Sequence, residues 1–295
     1  MSNNIPNFSG SITALITPFK NGKVDEKCFQ SLVERQISEG IHGIVPVGTT
    51  GESATLNDEE HWRVFELAIE VAKGKVPVIA GCGSNDTVAA IEHMQVAKKL
   101  GADGALIVAP YYNKPNQAGL IAHFNALAGA VDLPIVVYNI PGRTNVDILP
   151  ATMGEIAKHK NVVALKDSTG DPSRTALHKA LCKPEFNILA GDDNLALGFA
   201  AYGAVGAVSV LSNLLPKTVS NMQNHLAKGD FAGAREINQK IDHLQRALFI
   251  EPNPVPVKYA MAELGLCEPD VRLPLVELSD ASKKAVKEAM KLAGL

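Results

Sequence analysis

A lysine closes the apolar run Val162-Val163-Ala164-Leu165-Lys166, and in a chain of 295 residues it is the side chain best placed for covalent chemistry. At the end of a buried strand its amine loses water, which disfavours the charged form and leaves a nucleophile able to form an imine with a carbonyl. The competing reading is a strand-end lysine that lays its stem on apolar surface and sends its charge to solvent. Gly48-Thr49-Thr50-Gly51-Glu52-Ser53 offers backbone amides and two threonine hydroxyls for a carboxylate, or else is a tight turn whose hydroxyls cap a helix. Tyr138-Asn139-Ile140-Pro141-Gly142-Arg143-Thr144 combines a phenol that can relay protons with a guanidinium that can grip a carboxylate in two places. Structural tyrosines and surface arginines are the commoner case. Pro110-Tyr111-Tyr112-Asn113-Lys114-Pro115 holds adjacent tyrosines on a proline-bounded loop, an interface or ligand signal unless one merely covers a helix. Gly191-Asp192-Asp193-Asn194 would repel a phosphate, which favours a non-phosphorylated substrate. Lysine, phenol, hydroxyls and guanidinium together suit a keto acid.

The elements that would position these residues are short runs rich in Val and Ile: Ile12–Ile16, Gly43–Val47, Pro77–Ala80, Ala105–Ala109, Pro134–Tyr138, Val162–Lys166, Asn187–Ala190 and Gly206–Val210. Apolar on both faces, they read as buried parallel strands. Amphipathic stretches alternate with them, such as Glu59–Ala72 after a cap at Asn57 or Asp58, and Thr87–Leu100 after Asp86. Gly101 marks a helix end leading into the next strand. With no hairpin signal, the pattern predicts an α/β fold, a (β/α)8 TIM barrel, whose active site lies on the loops after the strands' carboxyl ends. An open doubly wound sheet would need a glycine-rich turn after the first strand, where Thr17-Pro18-Phe19 stands instead. After Val210 the chain reads as helices only, Leu214–Ala227, Phe231–Leu248, Val255–Leu264 and Ser279–Ala293. The first completes the barrel (1–226) and the rest form an appended C-terminal helical region (227–295).

Composition excludes several classes of function. A net charge of −3 without basic clusters gives no electrostatic reason to expect nucleic acid. No stretch reaches the roughly 18 apolar residues of a membrane span. Met1 to Gly10 lacks a basic-then-apolar leader, so a soluble cytoplasmic protein is expected. Four scattered cysteines and eight scattered histidines show no metal-ligand spacing and no disulfide framework, so no metal is expected.

Gly48-Thr49-Thr50-Gly51-Glu52, Tyr138-Asn139-Ile140-Pro141 and the lysine of the sixth strand together resemble the pyruvate-dependent class I aldolase family. The tyrosine loop, Arg143-Thr144, Gly191-Asp192-Asp193 and Glu251-Pro252-Asn253-Pro254 resemble its dihydrodipicolinate synthase branch, from about Gly10 to the final helix. The resemblance implies condensation of pyruvate with L-aspartate 4-semialdehyde through an imine on Lys166, with no external cofactor. It implies that Thr50 holds the pyruvate carboxylate and that Tyr138 is the general acid/base. Thr49 and Tyr112, the latter from a neighbouring subunit, would link Tyr138 to solvent. Arg143 would bind the semialdehyde carboxylate, and Gly191 and the main chain at Val208 would line the pocket. It further implies a homotetramer built as a dimer of dimers, and a lysine-inhibition site at Ser53, Ala54, His61, Asn85 and Tyr111. Asp58 and Ala89 stand where inhibited members often carry a histidine and a glutamate, which predicts weak or absent inhibition. The rival within the family is an aldolase of N-acetylneuraminate or a keto-deoxy sugar acid, against which Arg143 argues because a polyol aldehyde has no carboxylate. A barrel that has lost catalysis would lack Lys166, Tyr138 or Thr49, and all three are present.

Overall fold

The computed structural model describes residues 8–295; of the expectation about Met1 to Gly10, and of the barrel unit beginning at residue 1, the first seven residues lie outside that range. Eight parallel strands, β1 (Gly10–Ala14), β2 (Gly43–Val45), β3 (Ile79–Gly81), β4 (Gly104–Val108), β5 (Ile135–Asn139), β6 (Val162–Asp167), β7 (Asn187–Ala190) and β8 (Gly206–Ser209), pair in the order β2-β1-β8-β7-β6-β5-β4-β3. A parallel bridge between Ile44 and Val78 joins the two ends. The Ile44 amide donates to the Pro77 carbonyl at 3.0 Å and that of Gly81 to Pro46 at 3.0 Å, completing the closure. The closed barrel predicted from the alternating pattern is therefore present.

Alternation along the strands sends one set of side chains inward: Ile12, Val45, Ile79, Leu106, Val136, Ala164, Leu189 and Val208 pack as an interior cluster. Phe8 plugs the floor so closely that a Cβ on Gly104 would sit 2.7 Å from its ring. The other set, including Ile107, Val137, Leu165 and Ile188, packs beneath the helices.

The helices begin and end where the sequence marks them. Asn57 caps Asp58–Ala72 in a reciprocal capping box with Glu60, and Asp86 accepts from the Val88 amide ahead of Thr87–Leu100. Gly101 ends that helix at φ +96°, a left-handed conformation natural to glycine. One expectation needs correction. Against the expectation of no hairpin, a small antiparallel one, Phe19–Lys20 with Lys23–Val24, follows β1 through an Asn21-Gly22 turn with both residues at positive φ. After β8 the chain carries the four helices expected there, at Pro216–Ala227, Phe231–Ala247, Val255–Glu263 and Asp280–Leu292. The helix Pro216–Ala227 packs against β1, and Phe231–Ala247 packs against both it and Asp280–Leu292.

Candidate active site

Tyr138 and Lys166 are register partners on β5 and β6. Each continues the inward alternation of its strand, after Val136 and Ala164, so both point into the barrel near its carboxyl end. Lys166 is only 6% exposed, which rules out a lysine reaching for solvent. Its Nζ lies 3.9 Å from the centroid of the Tyr138 ring, an ammonium against an aromatic face.

The loop after β2 is held in place from several sides. The Thr17 hydroxyl donates to the Gly51 carbonyl at 2.7 Å. Val47, a β-branched residue, has φ +55°, and Glu52 has φ +53°. Such strain is costly and persists where the surroundings fix it. Gly81 supplies part of that surrounding, since any Cβ there would lie 2.1 Å from the Val47 carbonyl oxygen. Glu52 is buried and forms an ion pair with Lys258 from the C-terminal region, while its other oxygen accepts from the Arg272 amide at 3.0 Å. Lys258 also donates to the Asp270 carbonyl at 2.7 Å.

Two adjoining spaces open at this end of the barrel. The outer, about 320 Å³, is walled by Thr49, Ser53, Ala54, Tyr111, Arg143 and Asn253 among others. The inner, about 40 Å³, shares Thr49, Ser53, Gly83 and Val108 with it and reaches Tyr138. Lys166 lines neither; it is met through Tyr138. Among the described residues neither the Tyr138 nor the Thr49 hydroxyl has a hydrogen-bond partner, so both are free to engage a substrate. Thr50 is buried, and its Oγ1 accepts from Asn253 Nδ2 at 2.9 Å. Arg143 is exposed on the single turn Pro141–Thr144 and donates from Nη2 to the Asn253 carbonyl at 3.2 Å.

Gly191 follows β7 in tight contact with the strand beside it. Its amide donates to the Asp167 carbonyl at 2.7 Å, and a Cβ would lie 1.8 Å from Ser168 Oγ. Val208 is buried in the interior cluster opposite Ile12. The two aspartates after Gly191 do different work, which corrects the picture of a doubly acidic mouth. Asp193 is buried and accepts from the Val210 and Leu211 amides at 2.8 and 2.9 Å, so it organises the loop after β8. Among the described residues Asp192 has no such loop contacts: burial pushes its carboxyl up to about 6, with Lys166 opposing and Asp193 and Asp167 adding to the rise.

The remaining candidates divide. Ser53, Ala54 and Tyr111 line the outer space, and the Asn85 carbonyl accepts from Asn113 Nδ2 at 2.8 Å. His61 is buried below, its Nε2 2.9 Å from the Gly81 carbonyl and its ring 4.3 Å from that of His93 between centroids. Burial first, and then the charge of His93, bring the His61 pKa down to about 4. Tyr112 is 89% exposed at φ +71° and lines neither of these two spaces. Sequence reasoning gave Asp192 a part only in repelling phosphate, and assigned no role to Asn253 or to the Glu52–Lys258 pair. The signal for Asn253 was the motif Glu251-Pro252-Asn253-Pro254, part of the family resemblance but with no role attached. Among the described residues no group of three or more His, Cys, Asp or Glu is placed to hold a metal ion.

The model of the dihydrodipicolinate synthetase family matches residues 7–293. A 4-hydroxy-tetrahydrodipicolinate synthase of Parvibaculum lavamentivorans is 54% identical over 288 residues, covering 98% of this chain and 99% of the relative. One of Hyphomonas neptunium is 52% identical over 290 residues, covering 98% and 99%. Among solved structures, the dihydrodipicolinate synthase of Aquifex aeolicus superposes with a TM-score of 0.96 at 46% identity, covering 98% of this chain and 99% of that one. The 4-hydroxy-tetrahydrodipicolinate synthase of Methylacidiphilum fumariolicum SolV gives 0.96 at 44% identity, covering 97% and 96%.

Proposed function

The chain belongs to the dihydrodipicolinate synthetase family, and from that membership we infer that it is a 4-hydroxy-tetrahydrodipicolinate synthase, condensing pyruvate with L-aspartate 4-semialdehyde in lysine and diaminopimelate biosynthesis. It is a class I, Schiff-base enzyme without an external cofactor. The observation that carries the residue assignment is the buried Lys166 amine against the Tyr138 ring at the carboxyl end of the barrel. A reading as a sugar-acid aldolase would leave Arg143, on the wall of the outer space, without a carboxylate to bind.

Lys166 Nζ adds to the C2 carbonyl of pyruvate, and water leaves as the imine forms. The protonated imine draws electrons from the neighbouring methyl, whose proton passes to the Tyr138 phenolate as the enamine forms. Thr50 and the amides of its loop hold the pyruvate carboxylate, with Gly191 and the Val208 main chain as walls. The enamine carbon attacks the aldehyde held through its carboxylate by Arg143, forming the new carbon–carbon bond, and Tyr138 returns a proton to the alkoxide. The amine of the semialdehyde then displaces Lys166 and closes the ring, regenerating the free lysine.

Thr49, on the wall shared by both spaces, links Tyr138 to solvent together with Tyr112. The exposure of Tyr112 away from its own site supports its service to a neighbouring subunit, and with it a homotetramer of paired dimers. One solved relative is described as a monomeric variant, at 38% identity. In this reading the described part of 1–226 forms the catalytic barrel unit and 227–295 the region packed on it. No helix among the described residues is long and apolar enough to cross a membrane, and we place the enzyme in the cytoplasm.

Borohydride reduction in the presence of pyruvate tests the assignment. A stable mass increment should map to Lys166 and vanish in Lys166→Ala; an increment elsewhere, or none, would refute it.

A further inference from the structure

Asn253 lies between the helices Phe231–Ala247 and Val255–Glu263, remote in sequence from every strand end. It is nevertheless 6% exposed, forms part of the cavity wall, and touches both residues read as carboxylate holders. Its Nδ2 donates to Thr50 Oγ1 and its main-chain oxygen accepts from Arg143 Nη2. We propose that Asn253 is a positioning residue that turns the Thr50 hydroxyl proton toward the pyruvate carboxylate and anchors Arg143 for the carboxylate of the aldehyde. The proposal rests on the reading of Lys166 and Thr50 given above.

The argument is one of donors and acceptors. A threonine hydroxyl has one proton. While its oxygen accepts from Asn253, that proton cannot point back at the amide. Thr50 Oγ1 has no second partner among the described residues, so its O–H remains available to an anion. The side-chain amide is itself held in this sense. As it stands, one acceptor, Oδ1, is buried without a partner. Turned over, it would leave both N–H donors in that buried position and withdraw the bond that aims Thr50. The Arg143 contact uses the main chain and survives side-chain substitution, so the two halves of the role are separable by experiment.

The measurement is the pyruvate concentration that half-saturates the borohydride-trapped Lys166 adduct, with aldehyde absent, alongside the KM of L-aspartate 4-semialdehyde. Asn253→Ala frees the hydroxyl to rotate and should raise the pyruvate value about threefold to tenfold, on the scale of one weakened hydrogen bond to a charged group. Asn253→Asp should be at least about tenfold worse than Asn253→Ala, because a carboxylate takes the Thr50 proton and repels the substrate. In a Thr50→Val background Asn253→Ala should add nothing to the pyruvate value. The KM of the aldehyde should hold within about twofold throughout, whereas general damage to the site would move both substrates; adduct formation at saturating pyruvate reports that each variant is folded. An Asn253→Asp chain no weaker than Asn253→Ala, or an effect that persists in Thr50→Val, would overturn the proposal alone. Absence of any Lys166 adduct in the wild-type chain would overturn the underlying reading and this one with it.

Discussion

Tyr138 and Lys166 meet because two neighbouring parallel strands carry them at the same register and on the same face. That placement was legible: an apolar strand ending in lysine, beside one ending in tyrosine, needs only the alternation of side chains to bring them together. What was not legible lies with residues whose partners are distant in sequence. Nothing local to Asn253 announces that Thr50, two hundred residues earlier, is its acceptor, and nothing in Asp192-Asp193 tells which carboxylate turns inward. His61 was also read by position alone. It is buried against Gly81 and His93, while Asp58 Oδ1 lies 3.4 Å from His93 Nε2, so the Asp58 carboxylate already has an imidazole beside it. With Ala89 offering no carboxylate, initial rates at saturating substrates should change by less than about twofold up to millimolar lysine, since a lost charge-assisted hydrogen bond weakens binding roughly tenfold or more. Inhibition at submillimolar lysine would contradict this.

At the scale of elements, the helices were the easiest to read, because their caps are local. Asn57, Asp86 and Gly101 do what their residue types predict within three or four positions. The short hairpin after β1 escaped because its two-residue strands are too short to show an apolar period. The seam between Thr87–Leu100 and Gln117–Ala130 carries a consequence for pH. Thr87 Oγ1 and His123 Nδ1 are 2.9 Å apart across it, and burial brings the His123 pKa down to about 4. Since free histidine titrates near 6.5, the unfolded chain takes up this proton first as pH falls. The stability that the neutral ring contributes is therefore complete above about pH 6.5 and drains away toward pH 4. His123→Gln keeps a polar partner for Thr87 but does not titrate. The melting temperature of the wild type minus that of the variant should thus shrink between pH 7 and 4.5; a difference independent of pH would refute the assignment.

On the scale of the whole molecule, the C-terminal region completes the site. Asn253, Pro254, Pro274 and Leu275 wall the outer space, and Lys258 neutralises Glu52 in the loop that bears the threonines. Burial lowers the Lys258 pKa while Glu52 opposes the shift, so the pair persists as a mutual neutralisation with little access to water. Lys258→Met strands a buried carboxylate and should lower unfolding free energy by about 3–5 kcal/mol. Adding Glu52→Gln should return much of that loss, and chemical denaturation of the three variants measures both effects. Equal destabilisation by the single and double changes would show that the packing of Lys258, not its charge, is what matters.

The barrel is sealed unevenly. Between β5 and β6 five residue pairs stand in register, whereas β2 and β3 are joined through the single bridge of Ile44 and Val78 with its flanking amide bonds. A closed sheet opens first where it is least stitched. In deuterated buffer the Ile44 and Gly81 amides should exchange well before those of Val137 and Leu165. The Gly48–Ser53 loop begins directly beyond that seam, so pyruvate held there should slow exchange at Ile44 and Gly81 while leaving β5 and β6 almost unchanged. Substrate, in this barrel, would act as the last stave.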